Sequence, residues 1–101
     1  MTGPVPDPQL LAAIAQRRLI GLRFKEKARV AEPHDYGVRN GHETLFAYQL
    51  SPETGWRWFE IARIADLKVL ERTFAGGRPA PSGKHHTWDV LFARVGASGE
   101  M

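Results

Sequence analysis

Between Leu10 and Ala15 the apolar positions Leu10, Leu11, Ile14 and Ala15 share one helical face, while Gln9, Ala12, Gln16 and Arg17 lie largely off it. Asp7-Pro8 ahead of this run combines an N-cap residue with a proline at the first helical position. Alanines fill the interior, and Arg17 and Arg18 suit the negative C-terminal end. The spacing predicts a helix over 8–18. The period then changes to two. Ile20, Leu22 and Phe24 alternate with Gly21, Arg23 and Lys25, the pattern of a half-buried strand.

Lys25-Glu26-Lys27 forms a short polar connection to a second extended stretch from Arg29 to Val38, in which Pro33 demands an edge, a bulge or a break. Asn40-Gly41 is the strongest turn signal and joins this stretch to Glu43–Leu50 as a hairpin. A second turn, Ser51 to Gly55, leads into Trp56–Ile61. Ala62–Asp66 reads as a single helical turn, and Leu67–Arg72 as a fifth strand. The segment from Thr87 to Val95 fits either a helix or a strand. Alternation, with the family pattern described below for Val69, nominates Leu22, Phe24, Val30, Leu45, Phe59, Ile61 and Val69 as core.

The expected architecture is mainly β: a small five-stranded SH3-like (Sm-like) barrel with an N-terminal α-helix and a short C-terminal extension. Its divisions are a flexible lead at 1–7, the barrel with its helix at 8–75, a loop and extension at 76–95, and a disordered tail at 96–101. On the strand after Gly55, Phe59 and Ile61 fit the core face, which leaves Trp56 and Trp58 on the other. Phe46 and Tyr48 join them there if the neighbouring strand pairs in register. Such an aromatic face needs cover, for which Leu10, Leu11 and Ile14 of the helix are the simplest source, with a ligand or another subunit as alternatives.

Composition narrows the function. The 101 residues suit one domain, and the absence of cysteine excludes disulfides, thiolate zinc sites and a cysteine nucleophile. No apolar run approaches the roughly 18 residues of a membrane span, and residues 1–8 lack the basic and apolar regions of a signal peptide. The expectation is a cytoplasmic protein without a membrane partner. The net charge of +3 is a mild bias, spread evenly along the chain. Any anion-binding patch must therefore be assembled by folding. Ten of the fourteen basic residues are arginine, which favours planar, forked anion contacts.

Candidate chemistry is sparse. Ser51, Ser82 and Ser98 sit in turns or the tail without the context of a nucleophile, and no glycine-rich phosphate loop precedes a helix. No catalytic residue is assigned, and the chain is read as a binding module rather than an enzyme. His85, His86 and Asp89 have metal-ligand spacing, but three or four ligands with supporting contacts are required and none is in view. No metal and no cofactor is expected. Arg57 and Arg63 can each fork onto a phosphate or carboxylate, beside aromatic residues able to stack a base. Their even spacing would put them on one face of an unbroken strand.

The runs Arg29-Val30-Ala31-Glu32-Pro33, Leu45-Phe46-Ala47-Tyr48 and Arg57-Trp58-Phe59-Glu60-Ile61-Ala62-Arg63-Ile64, with Tyr36-Gly37, Gly41, Leu67, Val69-Leu70 and Phe74, resemble a WYL domain in order and spacing over residues 15–75. Glu43-Thr44-Leu45 stands where the name-giving triplet falls and keeps only its leucine. The resemblance implies a stand-alone regulatory barrel of the kind found in bacterial transcription regulators and near defence loci. Its ligand would be anionic, a nucleotide or single-stranded nucleic acid, held by Arg29, Tyr48, Arg57 and Arg63. Readout would pass through a regulator protein or a second copy of the chain. The alternatives are a structural protein–protein module that has lost its ligand site and a sequence-tolerant RNA or single-stranded DNA binder.

Overall fold

The computed structural model describes residues 5–78 and 88–96. Helix α1 spans Pro8–Gln16 and is followed by strands β1 (Arg18–Phe24), β2 (Lys27–Arg39), β3 (His42–Ser51) and β4 (Gly55–Glu60). A 3-10 turn at Ile61–Arg63 leads to β5 (Ala65–Thr73), and β6 is Val90–Arg94. Asp7 caps α1 through its carboxylate, which accepts from the Gln9 amide at 2.8 Å. The helix stops short of the expected 8–18 because Arg17 takes the left-handed conformation (φ 54°), its N–H returning to Ala13 and Ile14. Arg18 therefore opens β1.

All strand pairings are antiparallel, in the order β4-β3-β2-β1-β5, and β6 pairs with β2 beyond the end of β1. The fold corrects the expected five-stranded SH3-like barrel. The described residues form six strands, and no ladder among them joins the end strands β4 and β5, so the sheet is open. The chain crosses between those two strands on the 3-10 turn, whose local hydrogen bond from Ile64 to Ile61 replaces strand pairing at the gap. The ambiguous 87–95 segment resolves as strand β6 from Val90, and it enters the sheet rather than trailing from it.

Pro33 explains how a thirteen-residue strand serves two neighbours on one edge. Its N–H is missing where β1 has ended, at Ala31, and β6 has not yet begun, at Asp35. The next residue, His34, is an extra residue in the ladder, since Pro33 pairs with Ala47 and Asp35 with Phe46. The bulge reverses the parity of the strand, so Ala31 and Tyr36, an odd number of residues apart, both reach the core. Asn40 and Gly41, both at positive φ, close the β2–β3 hairpin as the sequence indicates.

The core unites Leu10, Ala13 and Ile14 of α1 with Ile20, Leu22, Ala31, Tyr36, Leu45, Ala47, Phe59 and Val95. Of the nominated core, Leu22, Leu45 and Phe59 are buried, and Phe24, Ile61 and Val69 pack half-buried against them. Val30 is the exception. The β1–β2 register sets Leu22 opposite Arg29, and Val30 opposite Gly21, which turns Val30 to the other face. The expected flexible lead is described from Val5, and its Asp7 N–H donates to the Tyr36 hydroxyl at 2.7 Å. The expected disordered tail lies outside the described residues from 97 onward. No helix among the described residues is long and apolar enough to cross a membrane.

Candidate functional site

The face of β3 and β4 turned away from α1 is aromatic, and the register is the one alternation suggests: Phe46 opposite Trp58 and Tyr48 opposite Trp56. Phe46 stacks on Trp56 at 4.6 Å and against Trp58 at 4.3 Å, and the Tyr48 ring meets Trp56 edge-on at 5.4 Å. Helix α1 does not cover this face, as the sequence suggests it should; its apolar side is used on the opposite, core face. Cover comes instead from the segment after β5 and from Trp88, whose ring lies 5.8 Å from Trp58.

That segment is anchored at Arg78. Arg78 donates from Nε and Nη2 to the Glu32 carboxylate at 2.6 and 2.9 Å, and its guanidinium lies 4.1 Å over the Tyr48 ring. The Arg78 backbone N–H donates to His34 Nε2 at 3.1 Å, which leaves Nδ1 as the donor to the Glu32 carbonyl at 2.9 Å. The His34 ring also contacts Trp56 at 4.8 Å and stacks on Phe74 at 5.6 Å. Burial lowers its pKa below the ordinary 6.5, against the pull of the neighbouring Glu32 and Asp35.

At the other end of the aromatic row, around the Asn40-Gly41 turn, Phe24, Lys25, Arg39, Asn40, His42, Thr44, Trp58, Glu60 and Arg63 line a cleft of about 270 Å³. The Arg39 guanidinium lies 4.1 Å over the Trp58 ring. Arg63, on the exposed 3-10 turn, sits 3.5 Å from the Glu60 carboxylate. Lys25 and Arg39 have no carboxylate within ion-pair distance among the described residues. The cleft thus carries cations from the β1–β2 turn, the end of β2 and the 3-10 turn, beside an indole floor.

The four residues singled out from the sequence are not brought together. Arg63 lines this cleft; Arg57 does not. Arg57 shares the core-side face of β4 with Phe59, folds back to donate to the Trp56 carbonyl at 2.9 Å, and packs beside Gly55. Arg29 occupies the margin of the core face, donating to Phe24 and Gln49, and lines a separate cleft with Arg23, Val30 and Lys68. Tyr48 lies under Arg78 on the aromatic face. Lys25, Arg39, Glu32, His34 and Arg78 were not anticipated. Arg39 was within reach, because the Asn-Gly turn fixes it opposite His42 on the hairpin, but the sequence places neither Lys25 nor Arg78.

Among the described residues no group of three or more His, Cys, Asp or Glu side chains could hold a metal ion. Of the notional His85/His86/Asp89 set, both histidines lie outside the described residues, as do Ser82 and Ser98. Asp89 instead accepts from the Gly41 N–H at 2.9 Å. Comparison with protein-family models, curated proteins and solved structures finds no match. The WYL resemblance is therefore not upheld, and the transcription-regulation and defence setting it implied is left without support. Short strand motifs of alternating apolar and basic residues suit many sheets, so three in order did not specify a family.

Proposed function

We propose that this chain is a binding module whose cleft beside the Asn40-Gly41 turn takes a small anionic ligand. The observation that carries the reading is the convergence of Lys25, Arg39 and Arg63 on a single cleft with Trp58. The Arg39 guanidinium, 4.1 Å from the Trp58 ring centre, is a group suited to a forked contact with a phosphate or carboxylate. Lys25 adds a compact charge without a carboxylate partner among the described residues. A nucleotide suits such a site chemically, its phosphates meeting the cations and its base the aromatic edge.

Isothermal titration of the whole chain with pyrophosphate, a nucleoside triphosphate and a short oligothymidylate at two salt concentrations tests the reading. Binding of pyrophosphate or the nucleotide should weaken about tenfold or more in Arg39→Gln, since a hydrogen bond to a charged group is worth about 1.5–3 kcal/mol. Oligonucleotide binding alone, falling steeply with salt, would point instead to a single-strand binder. No binding of any of the three overturns the proposal.

One observation favours a protein–protein module as the second reading. Strand β6 presents Val90 and Leu91, 50% and 39% exposed, and pairs only with β2 among the described residues. An apolar edge strand is a template for pairing with another chain.

A further inference from the structure

We propose that His34 and Arg78 form an acid-released latch, in which a proton taken up at His34 Nε2 displaces the Arg78 backbone N–H and frees Arg78 from the aromatic face.

The latch follows from hydrogen-bond directions. His34 Nε2 is an acceptor, because the group facing it at 3.1 Å is a backbone N–H, which can only donate. The other ring nitrogen faces the Glu32 carbonyl, which can only accept. This pair of partners selects the neutral tautomer with the proton on Nδ1. A second proton has one place to go, Nε2, where it would confront the Arg78 N–H donor to donor. The ring cannot turn away freely, since Trp56 and Phe74 pack against it. Protonation and the Arg78 contact are therefore mutually exclusive.

The surrounding charges favour release once a proton is bound. Glu32 and Asp35, on the same strand, attract an imidazolium, and Arg78 repels it. Trp56 of β4 and Phe74 bring no charge. When Arg78 withdraws, its guanidinium leaves Glu32, and the positive charge on His34 takes its place beside that buried carboxylate. Among the described residues the segment has three other ties through its backbone, from Phe74 N–H to the Arg17 carbonyl at 2.8 Å, from Gly77 N–H to the Gly96 carbonyl at 2.7 Å, and from Arg17 Nη1 to the Ala75 carbonyl at 3.1 Å. None of them is made by His34, so release is confined to Arg78. Its consequence is local: Tyr48 loses its covering guanidinium, while Phe74 keeps its tie to Arg17 and its stack on His34.

Nuclear magnetic resonance on the isotope-labelled full chain, from about pH 7.5 to about pH 5, tests this. The His34 ring nitrogens should report the Nδ1–H tautomer at the upper end. The Arg78 amide should shift with the same midpoint as His34 and lose about tenfold or more of its exchange protection as the ring protonates. In His34→Gln the side-chain carbonyl can still accept from Arg78 but takes no proton, so the Arg78 amide should be constant across the range. An Arg78 amide that stays protected while His34 titrates overturns the latch. So does an unchanged transition in His34→Gln, or a His34 that remains neutral until the whole domain unfolds. Should His34→Gln fail to fold, the paired titration of His34 and Arg78 in the unmodified chain decides alone.

Discussion

Arg78 grips Glu32 with two parallel hydrogen bonds of 2.6 and 2.9 Å, across 46 positions of sequence, and the two partners differ sharply in exposure. The Glu32 side chain is 6% exposed and that of Arg78 is 43%. The pair is thus a buried carboxylate neutralised from the rim. Removing the cation should cost more than removing both groups, because a stranded buried charge is the expensive state. Full burial of such a pair would make the loss about 3–5 kcal/mol. The wet side of Arg78 reduces this to about 2 kcal/mol. Urea unfolding should show Arg78→Ala destabilised by that order, with Glu32→Gln/Arg78→Ala less so. Equal losses in the single and double variants would remove the pair from the account of stability.

Phe59 and Arg57 test the core assignment two residues apart on β4. Phe59 is completely buried and meets the Phe24 ring edge-on at 5.0 Å. Phe59→Ala should cost about 3–5 kcal/mol in the same unfolding measurement. Arg57→Ala loses a hydrogen bond to the neighbouring carbonyl and should cost about 1 kcal/mol or less. Similar losses would mean that Arg57 carries structural weight the geometry does not give it.

Gly37 lies in close contact with the backbone of β6. A Cβ built there would stand 2.1 Å from the Val90 carbonyl oxygen and 3.0 Å from the Leu91 Cα, both backbone atoms that cannot swing aside. Gly37→Ala should therefore displace β6 while the β1–β5 sheet persists. Hydrogen exchange should show lost protection at β6 amides, with β1 and β3 largely unaffected. Retained β6 protection would contradict the packing.

Tyr36 gives a pH dependence at the alkaline end. Its hydroxyl donates to Glu43 and accepts from the Asp7 N–H, and burial pushes its pKa well above the ordinary 10.0, with the Glu43 carboxylate adding to the effect. A group whose folded pKa is raised contributes stability that is present below pH 10 and lost as pH climbs through the folded value. Tyr36 should stay protonated while the domain is folded above pH 10, and Tyr36→Phe should lessen the loss of stability there. Phenolate absorbance in wild type and variant measures both. Ionisation of Tyr36 at its ordinary value within the folded domain would refute this.

Much of the local structure was legible because it depends on neighbours in sequence. Asp7-Pro8 starts α1, Asn40-Gly41 closes the hairpin, and the pleat sets Trp56 and Trp58 on one face with Phe46 and Tyr48. Of the candidate site, Arg63 and the aromatic row were within reach. Val30 shows the limit of such reasoning. A single step in cross-strand register moved it off the core, and register is set by which strand pairs with which, not by alternation within one strand.

Sequence by itself determined α1, the first five strands and the two-faced character of the sheet, since turn chemistry and a period of two are properties of consecutive residues. The tertiary structure alone decided that the sheet stays open, that β6 takes the edge of β2 vacated at Pro33, and that α1 covers the core face rather than the aromatic one. It also decided that Lys25 meets Arg39 and Arg63, and that Arg78 reaches Glu32 and His34. These are contacts between distant segments. Their geometry depends on one bulged residue, His34, whose extra position in β2 reverses the facing of everything after it.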